Sequence, residues 1–511
     1  MKNKILKIAL FAGGIFGLAG CTKLDEDLNS ALTLNQAQSL TSASQLLRST
    51  YNSMQDAWTS QDRFLALAEH PSDEMVGPTR STDWDDNGVW RVLHLHSWTP
   101  DHSYVTRTFE NLLIMQFNAS NVLNFNPTAS EAAQARFLRA LSMWAVLDGW
   151  NQVPYRPTGS SLSDAPITLT GGQALDTIIS ELNAIIPTLD NGPTNRANKN
   201  AARVLLMKCY LNKAVYTGDR KTITFNNADM QQVVTLADQV TGYSLASNYF
   251  DNFAPNNSSA SENIYTYGGG VTENQGRSGN NIRSRWFMSM HYKQRPGGWN
   301  GFTTLSDFYD KFEASDKRRG AAYPVATYTN PGNRTNVGFL LGQQYDLLND
   351  TALTDRGDRP LVFSREIALQ ETNPATLEMT GIRVVKWAPD LASGDNPTTE
   401  FAFFRYADVL LMKAEALMRS GDNAGALTIV NTIRAARGVP ALATLNAAVL
   451  LDERGREMYW EGWRRNDQVR FGTYLNPNQL KTGTSEDKYL LFPIPNNDLA
   501  ANPNLTQNPG Y

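Results

Sequence analysis

The chain has 511 residues, 41% hydrophobic, 10% aromatic and 19% charged, a balance that excludes a disordered polypeptide and leaves ample chain to bury a core without staples. A net charge of −4 gives no basic excess to neutralise a phosphate backbone, so nucleic acid is excluded as the expected partner. The two cysteines, Cys21 and Cys209, are too few for a disulfide framework or a cysteine-rich metal centre.

Residues 1–20 have a basic head (Lys2, Lys4, Lys7), an apolar stretch from Ile5 to Leu18 and small residues at the end, the layout of a secretory signal. Gly13, Gly14 and Gly17 interrupt the apolar run and Asp25-Glu26-Asp27 follows it, so it is no membrane span. Leu18-Ala19-Gly20-Cys21 resembles a bacterial lipobox, in which Cys21 takes a diacylglycerol and becomes the new amino terminus. Cleavage removes three lysines and no acid, taking the net charge from −4 to −7. Several acyl chains moor a soluble body durably, where one would not. Cys209, inside the apolar run Leu205 to Leu211, reads as a buried inert thiol.

Residues 21–41 are a polar, lipidated tether. Helical periodicity then builds an N-terminal region, 42–241, interrupted by an aromatic loop at 70–104. Ser44 to Trp58 spaces Leu47, Tyr51, Met54 and Trp58 along one stripe, and further helices run from Val105 to Leu123 and from Glu131 to Trp150. Asn200 to Tyr216 and Phe401 to Ser420 both contain Leu-Leu-Met-Lys and both run into Gly-Asp. Each precedes a second amphipathic helix, Asp229 to Val240 and Ala424 to Ala436, which is the layout of irregular tetratricopeptide-like helix pairs. Residues 242–400 change to Asn, Gly, Ser, Thr, Pro and aromatics and read as a loop-rich insert with short strands at Asn263 to Tyr267 and Gly381 to Trp387. Residues 401–511 return to helices and a tail. Glu453 to Arg470 reads as an ion-paired helix with Met458, Tyr459, Trp460 and Trp463 packed beside it.

Trp84, Trp90 and Trp98 lie close together behind the run from Pro71 to Asp83 and around Asp85-Asp86-Asn87-Gly88, a segment too rich in Asp, Gly, Pro and Thr to bury every indole in a helix core. Indole planes beside Asp and Arg suit a sugar, whose C–H face rests on the ring while its hydroxyls take hydrogen bonds. The competing reading is that the tryptophans pin this loop to the scaffold. Trp286, His291, Tyr292 and Trp299, beside Arg295, form a second aromatic group. Four of the five histidines, His70, His94, His96 and His102, crowd the same early stretch. His94-x-His96 raises a metal-assisted hydrolase as the enzymatic alternative, but no His-Glu-x-x-His element supports it and a hydrogen-bonded structural pair is expected. No nucleophile elbow, phosphate loop or dinucleotide fingerprint is present, and no cofactor is implied. A structural calcium at the Asp83 to Asp86 loop stays open.

Several segments together resemble the SusD/RagB family of surface glycan-binding lipoproteins. They begin with Ala135-Arg136-Phe137-Leu138-Arg139-Ala140 and the exit Gly149-Trp150-Asn151-Gln152-Val153-Pro154-Tyr155. Phe404-Arg405-Tyr406-Ala407-Asp408-Val409-Leu410-Leu411-Met412-Lys413-Ala414-Glu415-Ala416 follows, then Asn431-Thr432-Ile433-Arg434-Ala435-Ala436-Arg437-Gly438. Glu453-Arg454-Gly455-Arg456-Glu457, Glu461-Gly462-Trp463-Arg464, Phe492-Pro493-Ile494-Pro495 and the tail from Asn502 to Tyr511 complete the series. The departure from the family pattern is Gly455, where a basic residue is usual.

The resemblance implies a mainly α fold of four tetratricopeptide-like helix pairs with a loop-rich insert bearing the ligand site. It implies an outer-membrane lipoprotein facing the medium, delivering oligosaccharides to a SusC-like TonB-dependent transporter without catalysis. The positions that match its usual binding region are Asp73, Arg80, Trp84, Trp90 and Trp98, with Trp286, Tyr292 and Trp299 behind them. A receptor for a non-glycan nutrient such as a peptide is the remaining alternative, since a fold alone does not fix a ligand.

Overall fold

Ser42 starts the helical frame by capping it. Its hydroxyl accepts from the Gln45 N–H while the Gln45 side chain accepts from the Ser42 N–H, so two orphan donors are satisfied at once. The computed structural model describes residue 38 and residues 40–161, 163–268, 282–325, 328–393 and 397–511. The signal, Cys21 and nearly all of the tether lie outside the described residues; Ser42–Tyr511 is one compact unit.

Its longer helices are α1 (Ala43–Met54), α2 (Ser103–Leu123), α3 (Ala129–Trp150), α4 (Gly171–Ile185), α5 (Lys199–Leu211), α6 (Asn227–Gln239), α7 (Tyr406–Arg419), α8 (Asn423–Ala436), α9 (Ala447–Met458) and α10 (Arg464–Arg470). They pack as four pairs, α1 with α2, α3 with α4, α5 with α6 and α7 with α8, each pair resting on the next through α2–α3, α4–α5 and α6–α7. The chain is mainly α, as the periodicity predicts. Helix α3 is central: a Thr128–Glu131 capping box starts it, Asn151 in the left-handed region ends it, and from Ala133 onward nearly every side chain is buried. Cys209 is likewise buried and free, with its thiol pushed up by burial. Among the described residues no helix is long and apolar enough to cross a membrane.

Four expected helices differ in detail. After Met54 the first continues as a π-turn, Gln55–Thr59. The second Leu-Leu-Met-Lys helix begins only at Tyr406, because the aromatic run Phe401–Arg405 is a strand paired antiparallel with Asn263–Tyr267. That ladder joins the beginning of the insert to its end, so the insert leaves and re-enters the frame at one place. The helix expected from Asn200 to Tyr216 breaks at Asn212. The Glu453–Arg470 helix is really α9 and α10, separated by a turn in which Trp460 and Gly462 have positive φ. Gly381 to Trp387 contains the strand Arg383–Val385, which pairs with Val337–Leu340.

The charges of that helix are buried and bond across elements instead of lying solvated along one face. Arg405 reaches Glu461 (2.6 and 2.8 Å), Glu262 (2.9 Å) and Glu457 (3.2 Å). Arg437 also bonds Glu262 (2.7 Å) and Glu457 (2.8 Å), and Arg318 bonds Glu453 (2.7 Å) and Glu457 (3.2 Å). A second cluster joins Lys208 and Arg454 to Asp408, and Arg470 to Glu415 and Asp467. Gly455 makes room for one of these cations, since a Cβ there would sit 2.7 Å from Arg464 Nη1.

These pairs set a pH limit. Burial alone would raise Glu453, but Arg318 and Arg456 outweigh it and hold the carboxyl at about 2; Arg470 and Arg419 do the same for Glu415. A carboxyl depressed on folding contributes stability that is complete above its unfolded value, 4.5, and lost as pH falls toward 2. Thermal unfolding is therefore expected to show a Tm that falls steeply between these two pH values, with the fall reduced in Glu415→Gln. A flat acid limb would contradict the assignment.

Candidate functional site

The segment after Arg80 is bent in an unusual way: Ser81, Trp84, Asp86 and Asn87 all have positive φ, and a bulky Trp in that region costs on the order of 1–3 kcal/mol. Such a conformation persists only if its surroundings hold it. Thr79–Arg80 pairs in parallel with Gln370–Glu371 of the insert, and the Arg80 N–H bonds Asp83 O at 2.8 Å, closing the turn. Beneath it the buried Arg80 guanidinium donates to Gly301 O (3.3 Å), Thr380 Oγ1 (2.8 Å) and Thr380 O (2.9 Å). It therefore clamps the aromatic loop to two parts of the insert.

The opposite wall is the segment from Phe287 to Gly301. It folds tightly upon itself through Trp299 N–H to Phe287 O (2.6 Å) and Asn300 N–H to Met290 O (2.8 Å). Glycine is required at two points: a Cβ on Gly298 would lie 2.1 Å from Met290 O, and one on Gly301 would lie 2.4 Å from the Trp84 ring.

The two walls meet at Trp84, whose indole N–H donates to Trp299 O at 2.9 Å. The Trp84 and Trp299 rings stand 6.3 Å apart with their planes 48° from each other, and Trp299 stacks on Phe287 at 5.5 Å. Trp299 is 39% exposed although it is a large apolar side chain, and Trp84 is half-buried beside it. Tyr292 donates to Asp83 Oδ2 at 3.0 Å, and the Arg356 guanidinium lies 4.1 Å above the Tyr292 ring and 3.8 Å from Asp83. Arg356 is in turn fixed by Glu378 at 2.5 Å. Asp83 and Arg356 both remain about half open to solvent. The result is a bent aromatic platform edged by one carboxylate and one guanidinium.

Of the eight residues singled out from sequence, the structure brings together Trp84, Tyr292 and Trp299. The other five form no part of its open surface: Trp90 lies behind it, edge-on to Trp84 at 5.9 Å, Trp286 lies 6.3 Å from Phe287, and Arg80 lies beneath it. Trp90, Trp98 and Trp286 are each 2% exposed; Trp90 bonds Asp86 and packs on Tyr104 and Phe302, while Trp98 donates to the Tyr511 hydroxyl at 2.8 Å. Arg80 is the buried clamp described above. Asp73 accepts both arms of Arg464, at 2.7 and 2.9 Å. These five pin loops to the scaffold: the three indoles and Arg80 are buried, and the part-exposed Asp73 is spent on Arg464. Asp83, Phe287 and Arg356 belong to the platform and were not singled out. Asp83 lay in plain view beside Trp84, but nothing in the spacing connects Arg356 to it.

The histidine pair is also structural in its bonding. His94 ends a short helix and lies between His70 O (3.3 Å) and Gln479 O (2.9 Å), while His96 contacts Pro71 O at 2.7 Å. Burial lowers both rings, His96 to about 3, so they are neutral. Among the described residues no cluster of His, Cys, Asp or Glu is arranged to hold a metal ion.

The sequence pattern of the SusD family matches residues 237–511. The chain belongs to the SusD family. Its curated relatives include the starch-binding protein SusD of Bacteroides thetaiotaomicron, 27% identical over 483 residues that cover 87% of this chain and 84% of that one. Among solved structures, a SusD-like protein from Bacteroides fragilis superposes with a TM-score of 0.69 at 19% identity, covering 91% of this chain and 96% of the other. Surface glycan-binding protein A from Bacteroides thetaiotaomicron, solved with laminarihexaose, gives 0.63 at 16% identity and covers 91% and 98%. The SusD fold thus spans both the helical frame and the insert that together carry the platform.

The division between core and platform tryptophans can be measured. Trp90→Ala empties a core site and is expected to cost about 3–5 kcal/mol, read as a clear drop in Tm. Trp299→Ala is expected to stay within about 0.5 kcal/mol of the parent. Equal losses in the two variants would show that Trp299 is a packing residue.

Proposed function

We propose that the chain is a non-catalytic cell-surface receptor that captures oligosaccharides on the Trp84–Tyr292–Trp299 platform. The observation that carries this reading is the platform itself: a large indole left exposed on a rigid, strained support, with Asp83 and Arg356 at its edge. A pyranose ring offers an apolar C–H face and a rim of hydroxyls. The two tilted indoles match the first, and the carboxylate and guanidinium match the second by charge-assisted hydrogen bonds. The relatives named for starch and for surface glycan binding support the same ligand class. Buried histidines whose ring nitrogens face backbone carbonyls give no support to the hydrolase alternative.

In this reading the lipid on Cys21 moors the body to the outer face of the outer membrane, and a SusC-like TonB-dependent transporter receives the captured glycan. The lipobox Leu18-Ala19-Gly20-Cys21 is what supports the anchor.

Calorimetry against a glycan panel tests the capture step. Trp299→Ala and Asp83→Ala are each expected to weaken binding about tenfold or more without altering the thermal transition, since each removes a direct ligand contact worth at least 1.4 kcal/mol at that ratio. Binding that survives both substitutions together with Trp84→Ala would overturn the site. Metabolic labelling with palmitate should mark the parent chain and spare Cys21→Ala.

A further inference from the structure

The insert contains a second feature that the platform does not use. A cavity of about 540 Å³ lies among Tyr309, Arg319, Tyr328, Arg334 and Tyr345. None of Trp84, Tyr292, Trp299, Asp83 or Arg356 lines it, yet it is continuous in chain with the platform. The segment from Phe287 to Gly301 that carries Tyr292 and Trp299 also lends Gln294 and Arg295 to the cavity wall.

The charges around the cavity do not cancel. Arg334 is held by both oxygens of Asp350 at 2.8 and 3.2 Å, and Arg295 by Asp346 at 3.1 Å. The buried Asp316 is taken by Arg318 at 2.8 Å. Arg319 is different: among the described residues its guanidinium has no carboxylate partner. It donates through Nε (2.9 Å) and Nη2 to one acceptor, the hydroxyl of the buried Tyr309, and its Nη1 is left unused. The Tyr309 oxygen, already accepting from a cation, keeps its own proton to donate. Tyr345 lies under Arg334, whose guanidinium carbon is 3.8 Å from the ring centre, and its hydroxyl has no partner among the described residues. The wall thus offers one uncompensated planar cation, two phenolic donors and aromatic faces, in a space large enough for a sugar residue.

We propose that this cavity is a second saccharide subsite, selective for a sugar bearing an anionic substituent, with Arg319 pairing the anion and the Tyr309 and Tyr345 hydroxyls donating beside it. A guanidinium fork matches a carboxylate or a sulfate ester, whereas a neutral sugar leaves its charge unanswered. The choice of a sugar as ligand rests on the glycan reading of the neighbouring platform; the selectivity for an anion rests on the cavity.

The test is calorimetric titration of the whole chain with three sets of oligosaccharides: neutral glucans, oligogalacturonates, and sulfated galactans. One acidic set is expected to bind more tightly than the neutral glucans, and which of the two does so names the anion. Arg319→Gln should weaken that binding at least about tenfold, while Arg319→Lys, which keeps the charge, loses less and Tm stays at the parent value. The proposal is overturned if acidic sets bind no better than neutral ones, or if Arg319→Gln leaves their affinity unchanged. In either case, binding that still depends on Trp299 leaves the platform standing. Acidic binding that needs Arg319, together with glucan binding that ignores Trp84→Ala and Trp299→Ala, would keep the cavity and remove the platform. Absence of binding to all three sets would overturn both.

Discussion

A guanidinium taken out of water must have its donors answered by oxygen acceptors in the right geometry, and Arg405, whose acceptors are mostly carboxylates, is the place where this requirement shapes the whole molecule. It ends the strand that closes the insert and immediately precedes α7, and its partners come from both sides: Glu262 before the insert's first strand, and Glu457 and Glu461 from the end of α9 and the turn beyond it. Arg437, Arg318 and Lys386 share the same carboxylates. The net stability from such a network is modest, because desolvation offsets much of the attraction, but removing one member strands a buried charge at a cost of about 3–5 kcal/mol. What the network enforces is arrangement. Among the described residues the loop-rich insert has sheets of two and three strands and little hydrogen-bonded lattice of its own, and these ion pairs fix where it sits on the helices.

The same logic extends to the platform. The turn between α9 and α10 sends the Gly462 N–H to Glu69 and the Trp460 N–H to Glu74, while Arg464 grips Asp73. Burial raises both glutamates, Glu74 to about 7. Through these bonds the segment leading into the aromatic loop is tied to the C-terminal helices. The backbone can then hold Trp84 at a positive φ, because the ends of the strained stretch are fixed by bonds on both sides. Strain, clamp and exposed indole belong to one construction.

How much of this was legible beforehand differs by level. Helix pairs were, because Leu47, Tyr51 and Met54, or Phe137, Leu141 and Trp144, repeat at the spacing of a helix turn whatever they pack against. The strand Phe401–Arg405 was absorbed into a helix because its aromatics fit either period, and only its pairing with Asn263–Tyr267 decides. Charged residues from Glu453 to Arg470 were legible as paired but not as buried, since the partners Glu262, Arg318 and Arg405 are distant in sequence. The tryptophans show the limit most clearly. An indole near Asp and Gly serves equally as an anchor or as a ligand face, and Trp90 and Trp299 are chemically the same in the sequence; only their burial, 2% against 39%, separates them.

Arg80 spends its donors on backbone carbonyls and one threonine hydroxyl beneath the platform, so the loop above it is secured from below as well as through the bonds at its tip. The exposed ring of Trp299 at the rim takes no part in that anchorage. A lineage carrying this scaffold can exchange its rim residues, and with them its appetite for one carbohydrate over another, while leaving the foundation untouched.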